Sequence, residues 1–241
     1  TTLFRSVVTA GEDIAPYFDG KKTITLQNYP LISAMPSVVE KKEDRENYTL
    51  VYCGGISPLR GVAEVIQALE VLDRPDVRLL LIGRFGDNAY AEQVQSMRGF
   101  RYVDYRGWMG QHDLYETLAG CDIAIYCPRP APNYLNLRSN KIFEFMAAGL
   151  PIITAHFPSW KKIVEGEGVG ITVDPQDIEQ ISESIRYLVE NPDLRETMGN
   201  RGREAVLTRY NWESEERKLL EAYENIAGRL SDAKGHNSAI R

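Results

Sequence analysis

The chain has few of the residues on which disulfide and metal sites depend. Its 241 residues include 3 cysteines, Cys53, Cys121 and Cys127, which form no CxxC pair and lie in or beside apolar runs. This odd count predicts buried, reduced thiols and excludes a disulfide framework. The 3 histidines are scattered along the sequence and are not grouped with cysteines and carboxylates into a set of metal ligands. We therefore expect no metal site.

Long apolar runs and an excess of positive charge are also missing. No run approaches the roughly 20 apolar residues of a membrane span, and the first ten residues do not form a secretion signal. The 28 basic residues are outnumbered by 34 acidic ones, giving a net charge of −6. Because backbone phosphates are normally bound by a basic face, nucleic acid is not expected as the main partner. The composition, 43% apolar, predicts a soluble, cytoplasmic globular protein.

Short β-branched runs alternate with segments of helical period from residue 48 onward. Strands are predicted at residues 49–52, 77–82, 101–104, 123–127, 152–155 and 169–173. Helices are predicted at residues 62–72, 89–97, 113–119 and 140–148. Strands that are apolar on both faces and separated by helices predict an α/β domain with a doubly wound parallel sheet.

The two ends of the chain have a different pattern. A helix is predicted over residues 4–18, a strand over 22–26, and a loop rich in proline, serine and charge over 28–42, which we interpret as a linker. After the last strand, three packing helices are expected: 177–189, one opened by Asp193 as N-cap, and 213–226. Residues 231–241 have no period and are expected to be disordered.

Ligands of doubly wound sheets bind beyond the carboxyl ends of the strands, so the loops at that edge are the candidate site. The first loop contains Gly54, Gly55 and Arg60 before a helix. Glycines allow a close backbone approach, a helix start offers free N–H groups, and arginine pairs with phosphate. The alternative is a plain turn with an exposed arginine. The loop is not a GxGxxG sequence, which gives a dinucleotide cofactor little support.

Two further loops carry weaker signals. Arg84, between Gly83 and Gly86, could help line a phosphate site, although such a loop is more often only a turn. Trp108 and Met109 lie between glycines and could form a slot for a flat base. The alternative for the tryptophan is partly buried packing at a strand end.

The fourth loop is the most informative, because this part of an acidic chain is locally positive. Residues 127–162 contain five basic residues and one acidic residue, Glu144. Ser139, Asn140 and Lys141 open a helix that could take phosphate at its start, and Glu144 one turn later could bind vicinal hydroxyls. The alternative is a solvated glutamate that stabilises the helix dipole. Its apolar neighbours indicate a buried helix, in which a glutamate needs a partner, so we favour the functional interpretation.

The ordered set of these motifs resembles a known family. It comprises residues 54–61, 80–86, 105–107, 121–128 and the run from Glu144 to Ile153, followed by Tyr210-Asn211-Trp212-Glu213 and a helix. Over roughly residues 9–226 it resembles the C-terminal half of the retaining GT-B glycosyltransferases of family four. The resemblance implies a Rossmann-like domain with extra C-terminal helices that binds a nucleotide-diphosphate sugar, with no cofactor.

The resemblance also implies roles for single residues. The family's first loop reads Gly-Arg-x-x-x-x-Lys-Gly, with both basic residues on the diphosphate. Here Gly55 stands at the first basic position and Arg60 at the second, so one cation is missing, and Arg84 or Lys141 could compensate for it. In the family's Glu-x7-Glu pair, the first contacts the sugar and the second the ribose. Asn136 and Glu144 occupy these positions, which leaves the identity of the sugar and the catalytic residues open.

A complete member of that family needs about twice the residues of one Rossmann domain. The chain is therefore expected to be a fragment: residues 1–42 would end the N-terminal domain and form the linker, 43–205 the donor domain, and 206–230 the crossover helix. Expected partners are the nucleotide sugar and an unidentified saccharide or lipid-linked acceptor. Membrane contact would be peripheral and made through the missing domain, and the expected process is polysaccharide or glycoconjugate synthesis.

Two alternatives remain at this point. A non-catalytic nucleotide-sugar binding module is favoured by Gly55 and Asn136, which depart from the family pattern. A UDP-sugar 2-epimerase has the same architecture but needs acid–base carboxylates and histidines that the sequence does not indicate.

Overall fold

The computed structural model describes residues 7–11, 14–18, 20, 22–35, 47–135 and 139–238, without the side chains of 133 and 228–238. The strands in chain order are β1 (Val7–Thr9), β2 (Thr23–Thr25), β3 (Tyr48–Cys53), β4 (Val77–Ile82), β5 (Val103–Gly107), β6 (Ile123–Tyr126), β7 (Ile152–Ala155) and β8 (Gly170–Val173).

The α-helices alternate with the strands of the larger sheet and then follow one another. They are α1 (Val62–Leu72), α2 (Asn88–Gln95), α3 (Gln111–Ala119), α4 (Pro132–Leu135), α5 (Asn140–Ala147), α6 (Pro158–Val164), α7 (Ile178–Glu190), α8 (Pro192–Thr208) and α9 (Trp212–Ser238).

The larger sheet has six parallel strands in the order β5-β4-β3-β6-β7-β8. The chain starts in the middle at β3, runs outward to β5, and then crosses back to β6. This reversal separates the loops after β3 and β6 at the carboxyl edge and opens a crevice there. The doubly wound parallel sheet predicted from the sequence is confirmed.

The central strands are buried on both faces, as their apolar sequences require. Leu50 and Val51 of β3 and all of β6 are at most 1% exposed. Helix α7 packs on α1, and α8 packs on α5, so helices cover the sheet on both sides. The fully buried Trp160 of α6 stacks on Tyr126 at the end of β6, with ring centroids 5.4 Å apart. Tyr126 is thus fixed at the carboxyl edge.

The predicted N-terminal helix is wrong. Within residues 4–18, Val7–Thr9 forms β1, which pairs in parallel with β2, and Ala15–Tyr17 forms a 3-10 turn. β-Branched residues favour the strand, and Pro16 removes a donor that a longer helix would need. Residues 1–6, 12 and 13 lie outside the described part, as do residues 36–42 of the predicted loop and residues 43–46 after it.

Three other predicted bounds need correction. The strand predicted at 101–104 begins at Val103, because Arg98–Tyr102 is a 3-10 turn. Asp193 lies in the first turn of α8, since Asn191 is the N-cap and Pro192 takes the first helical position. Helix α9 continues to Ser238, into the segment expected to be disordered, because each added residue contributes one more backbone hydrogen bond.

Among the described residues, no helix has the combination of length and apolar character that a transmembrane span requires.

Candidate functional site

The loops that follow β3, β4 and β6 meet through close backbone contacts. A Cβ atom on Gly83 would lie 1.8 Å from the carbonyl oxygen of Gly54, and one on Gly61 would lie 1.8 Å from that of Cys127. Gly83 has φ +150° and Gly61 φ +75°, which L side chains rarely adopt. These glycines let the loops form one continuous surface at the carboxyl edge of the sheet.

Lys141 extends from the first turn of α5 across the loop after β3. A Cβ atom on Gly54 would lie 2.4 Å from the Lys141 Cε atom and 3.0 Å from its Nζ. The same Nζ lies 5.5 Å from the ring centroid of Tyr126. The structure therefore brings together two loops that the sequence analysis proposed separately.

Arg60 reaches the same tyrosine from the other side of the crevice. Its Nη1 donates a hydrogen bond of 2.5 Å to the Tyr126 hydroxyl, and its guanidinium lies 5.3 Å from the ring centroid of Tyr134. Burial raises the pKa of Tyr126 to about 12, although Arg60 by itself lowers it. The hydroxyl stays neutral and does not neutralise the guanidinium. We call Arg60, Lys141 and Tyr126 the cationic edge.

Within the described part of the chain, neither Arg60 nor Lys141 forms an ion pair with a carboxylate. Two positive groups that contact the same tyrosine side chain repel each other, and an anion between them would relieve that repulsion. Ser139 is the N-cap of α5 and makes no side-chain capping bond, so the N–H groups at this helix start add to the attraction for an anion.

Gly55 differs from Gly54 and Gly61 because the space beside its Cα atom is open. A Cβ atom there would have no heavy atom within 4 Å, and its φ is not in the left-handed range. Its carbonyl accepts a 2.7 Å hydrogen bond from the Tyr52 hydroxyl, which leaves the Cα side open. The position that the resemblance assigns to a basic residue therefore has room for one.

Glu144 lines a cavity of about 340 Å³ beside the cationic edge. We call it the linker cavity; its lining residues are Asn28, Tyr29, Pro30, Leu31, Gln111, Tyr115, Asn140, Glu144 and Trp212. Burial raises the pKa of Glu144, and Lys141 partly offsets this effect. No hydrogen-bond partner of its carboxylate lies among the described residues. Beside it, the Gln111 amide donates to the Tyr115 hydroxyl over 3.2 Å.

Trp108 and Met109 do not line the linker cavity. The Trp108 ring is 64% exposed, and the guanidinium of Arg84 lies 5.2 Å from its centroid. Met109 is partly buried against the core, and its sulfur accepts a hydrogen bond of 3.8 Å from the Thr117 hydroxyl. Arg84 and Trp108 thus contact each other near the edge strand β5, and their assignment to phosphate and base stays a prediction.

Asn136, predicted at the sugar-contacting position, lies outside the described residues. Sequence reasoning missed Tyr126, Gln111, Tyr115 and the wall formed by residues 28–31. The sequence did not indicate a binding role for Tyr126, because this residue lies in an apolar strand. In the linker, Tyr29 and Leu31 on either side of a proline were the available signal for a packed segment.

A family model described as glycosyl transferases group 1 matches residues 37–205. A phosphatidyl-myo-inositol mannosyltransferase of Mycobacterium leprae (strain TN) is 28% identical over 224 residues, which are 90% of this chain and 55% of that protein. Spore coat protein SA of Bacillus subtilis (strain 168) is 25% identical over 185 residues, or 73% of this chain and 48% of that protein. The chain spans about half the length of these relatives.

Solved structures share the fold at low sequence identity. A glycosyltransferase from Rickettsia africae ESF-5 superposes with a TM-score of 0.78 at 15% identity, covering 92% of this chain and 64% of that one. Anabaena HepE, solved in complex with UDP and glucose, superposes with a TM-score of 0.70 at 17% identity. The match covers 94% of this chain and 63% of that one. The family match and the doubly wound sheet together show that the chain belongs to the glycosyl transferases group 1 family and has a Rossmann-like GT-B fold.

Proposed function

We propose that this chain is the donor-binding part of a retaining glycosyltransferase and binds a nucleoside-diphosphate sugar at the carboxyl edge of its sheet. The observation that carries the proposal is the convergence of Arg60 and Lys141 on Tyr126, next to a cavity that contains Glu144. This arrangement supplies positive charge for a diphosphate and a carboxylate for the ribose within one crevice.

The cationic edge would hold the diphosphate. Guanidinium and ammonium groups form charge-assisted hydrogen bonds with phosphate oxygens, and the start of α5 adds backbone N–H groups. Such a site also stabilises the negative charge that develops on the leaving diphosphate when the glycosidic bond to it breaks. Tyr126 contacts Arg60 through its hydroxyl and Lys141 through its ring, and would keep the two cations in place before the ligand arrives.

The linker cavity would hold the nucleoside. An ionised Glu144 has two acceptor oxygens, which match the two adjacent hydroxyls of a ribose. The cavity also has amide and hydroxyl groups at Gln111 and Tyr115 and an aromatic wall at Trp212. The half-buried Glu144 carboxylate has no partner among the described residues, so hydroxyl donors from a ligand would stabilise it.

The acceptor would be a saccharide or lipid-linked saccharide in glycoconjugate synthesis. Support comes from the mannosyltransferase relatives and from the HepE complex with UDP and glucose. A cytoplasmic location and peripheral membrane contact stay predictions. Since the chain covers only about half of its relatives, we expect it to bind donor without transferring sugar. Positioning of two reactants can contribute about 7–11 kcal/mol, and the acceptor part of that effect would be lost.

The proposal is tested by calorimetric titration of the 241-residue chain with UDP-, GDP- and ADP-sugars, together with Arg60→Ala. Loss of a charged hydrogen bond is worth about 1.5–3 kcal/mol, so the variant should bind the preferred nucleotide roughly 10- to 150-fold more weakly. Arg186→Ala, which removes an exposed arginine on α7, is the matched control. Equal affinity of Arg60→Ala and the parent chain, with both folded, would contradict the proposal.

A non-catalytic nucleotide-sugar module is the second candidate, favoured by the empty position at Gly55. Both candidates bind the donor, and they differ in turnover. Incubating the protein that carries this chain with the bound nucleotide sugar and measuring release of nucleoside diphosphate separates them.

A further inference from the structure

The linker segment, residues 27–32, packs against the domain that contains the larger sheet. Tyr29 is 9% exposed and packs edge-on against Phe143 of α5, with ring centroids 4.7 Å apart. Its ring also lies 5.5 Å from that of Tyr210, just before α9. This aromatic group fixes the middle of the segment to both helical regions.

Two carboxylates in the first turn of α9 hold the two ends of the same segment. Glu215 Oε2 accepts a 3.0 Å hydrogen bond from the backbone N–H of Gln27, and Glu213 Oε1 accepts one of 2.9 Å from that of Ile32. Between them, the backbone N–H of Trp212 donates to the Pro30 carbonyl over 2.9 Å. The linker segment is therefore tied to α9 along its whole length.

The surroundings of Glu215 favour a negative charge on its carboxylate. Glu215 is 2% exposed and also pairs with the Lys218 ammonium at 2.7 Å. Negative charge in the first turn of a helix is stabilised by the helix dipole. A backbone N–H that lost such an acceptor in this half-buried position would be left without a partner, so the segment would detach to reach water.

The tied segment forms one wall of the linker cavity. Residues 28–31 line it together with Trp212, whereas Glu213 and Glu215 themselves do not. The carboxylates can therefore influence a ligand in the cavity only through the backbone that they hold. When only a fraction of molecules has the binding-competent wall, the apparent dissociation constant rises by the inverse of that fraction.

We propose that Glu213 and Glu215 are positioning residues for the nucleoside: they hold residues 27–32 against α5 and α9, so that the linker forms a wall of the linker cavity before the ligand arrives. A preformed wall removes an ordering cost that binding would otherwise bear. This inference rests on the proposed role of the cavity in binding the nucleoside.

The test compares Glu213→Ala, Glu215→Ala and Glu213→Gln with the parent chain, using UDP or GDP, whichever the parent binds more tightly. Each alanine variant should weaken nucleotide binding about tenfold. Glu213→Gln keeps an acceptor oxygen, so it should lose less. Inorganic pyrophosphate serves as the second ligand. It has no nucleoside and under the proposed function would occupy only the cationic edge, so its affinity should change less than twofold in all three variants.

Glu216→Gln is the matched control, since Glu216 is an exposed glutamate in the same turn of α9. Titrations are run well below the thermal midpoint of each variant, so that only folded protein is compared. A variant that weakens nucleotide and pyrophosphate equally acts on general folding, and that result would overturn the positioning role. Unchanged nucleotide affinity in Glu213→Ala would also overturn the positioning role, because Glu213 is the less buried of the two glutamates.

Glu144→Ala distinguishes the two proposals. If this variant binds nucleotide as tightly as the parent, the cavity does not hold the nucleoside and the proposed function fails. If Glu144→Ala binds weakly while the Glu213 and Glu215 variants bind normally, the cavity is correct and the positioning role alone is refuted.

Discussion

The cationic edge and the linker cavity share helix α5, yet they are built in different ways. The cationic edge takes Arg60 from the loop after β3, Tyr126 from the end of β6 and Lys141 from the start of α5. Because β3 and β6 are neighbours, the register of the sheet places these residues together. The linker cavity is closed by hydrogen bonds between residues as far as 188 positions apart, such as Gln27 and Glu215. The cationic edge depends on the sheet, and the linker cavity depends on the packing of the linker segment against α9. Ligand binding at the two regions should therefore respond differently to substitution.

Gly83→Ala should have the largest effect, because it disrupts the loop contacts that support the cationic edge. The new Cβ atom would lie 1.8 Å from the Gly54 carbonyl oxygen, at a φ of +150°. Left-handed strain and overpacking together should lower the free energy of unfolding by about 2–5 kcal/mol. Chemical denaturation measures this loss.

Gly55→Ala is the matched control for that change, since a Cβ atom there would meet no heavy atom within 4 Å. Its unfolding free energy should stay within about 0.5 kcal/mol of the parent. Equal stability of Gly83→Ala and Gly55→Ala would show that the close loop contacts do not constrain this edge.

Lys141→Met should show, by its effect on two ligands, whether Lys141 acts in the cationic edge or in the linker cavity. The variant removes the ammonium that lies over Gly54 and Tyr126 and keeps most of the side-chain volume. UDP and inorganic pyrophosphate should both lose about 1.5–3 kcal/mol of binding free energy, because both carry a diphosphate. Calorimetry with Lys162→Met, an exposed lysine of α6, as control measures the difference. A loss confined to UDP would assign Lys141 to the nucleoside instead.

Gly55→Arg should strengthen the cationic edge without touching the linker cavity. The position is open and its backbone accepts an L residue, so the variant should fold normally. A second guanidinium near Arg60 should improve pyrophosphate affinity by about 1 kcal/mol, with like-charge repulsion limiting the gain. No gain in affinity from a folded Gly55→Arg would mean that the bound phosphates lie beyond its reach.

The smallest expected effect concerns pH and Glu144, whose pKa is raised by burial. The folded protein then binds this proton more tightly than the unfolded chain, so stability falls as pH rises from the usual glutamate pKa to the raised one. Glu144→Gln should remove this fall and give a slightly higher Tm above that window. UDP affinity of the parent should decrease as pH drops through the raised pKa, because the protonated carboxyl accepts fewer ribose hydrogen bonds.

If Glu144→Gln and the parent have the same Tm profile between pH 4 and 8, the carboxyl is not desolvated in solution. A thermal-shift series over that range, with and without UDP, measures both parts of the prediction.

The sequence predicted the fold best where burial dominates. β6 is apolar on both faces and β4 is apolar except for Arg78, and both were predicted within one residue of their observed ends. β5 was placed too early because it is an edge strand with polar, exposed residues and little hydrophobic signal. The N-terminal strand was mistaken for a helix because its partner β2 lies in a different segment, which a local pattern does not reveal.

The same distinction applies to the site. Arg60, Lys141 and Glu144 could be singled out because each stands in a local pattern of glycine, helix start or isolated charge. Tyr126 could not, because a tyrosine in a buried strand has the same pattern whether or not it contacts a cation. The wall formed by residues 28–31 was missed because only the folded chain brings it beside Trp212.

The docked linker segment has a consequence for dividing proteins of this kind into units. The family match covers residues 37–205, a range that leaves out both residues 28–31 and Trp212. A protein trimmed to that range would retain every strand of the larger sheet and the whole cationic edge. Its linker cavity, however, would lack the walls that residues 28–31 and Trp212 form. The boundary drawn from shared sequence therefore excludes part of the lining of this cavity.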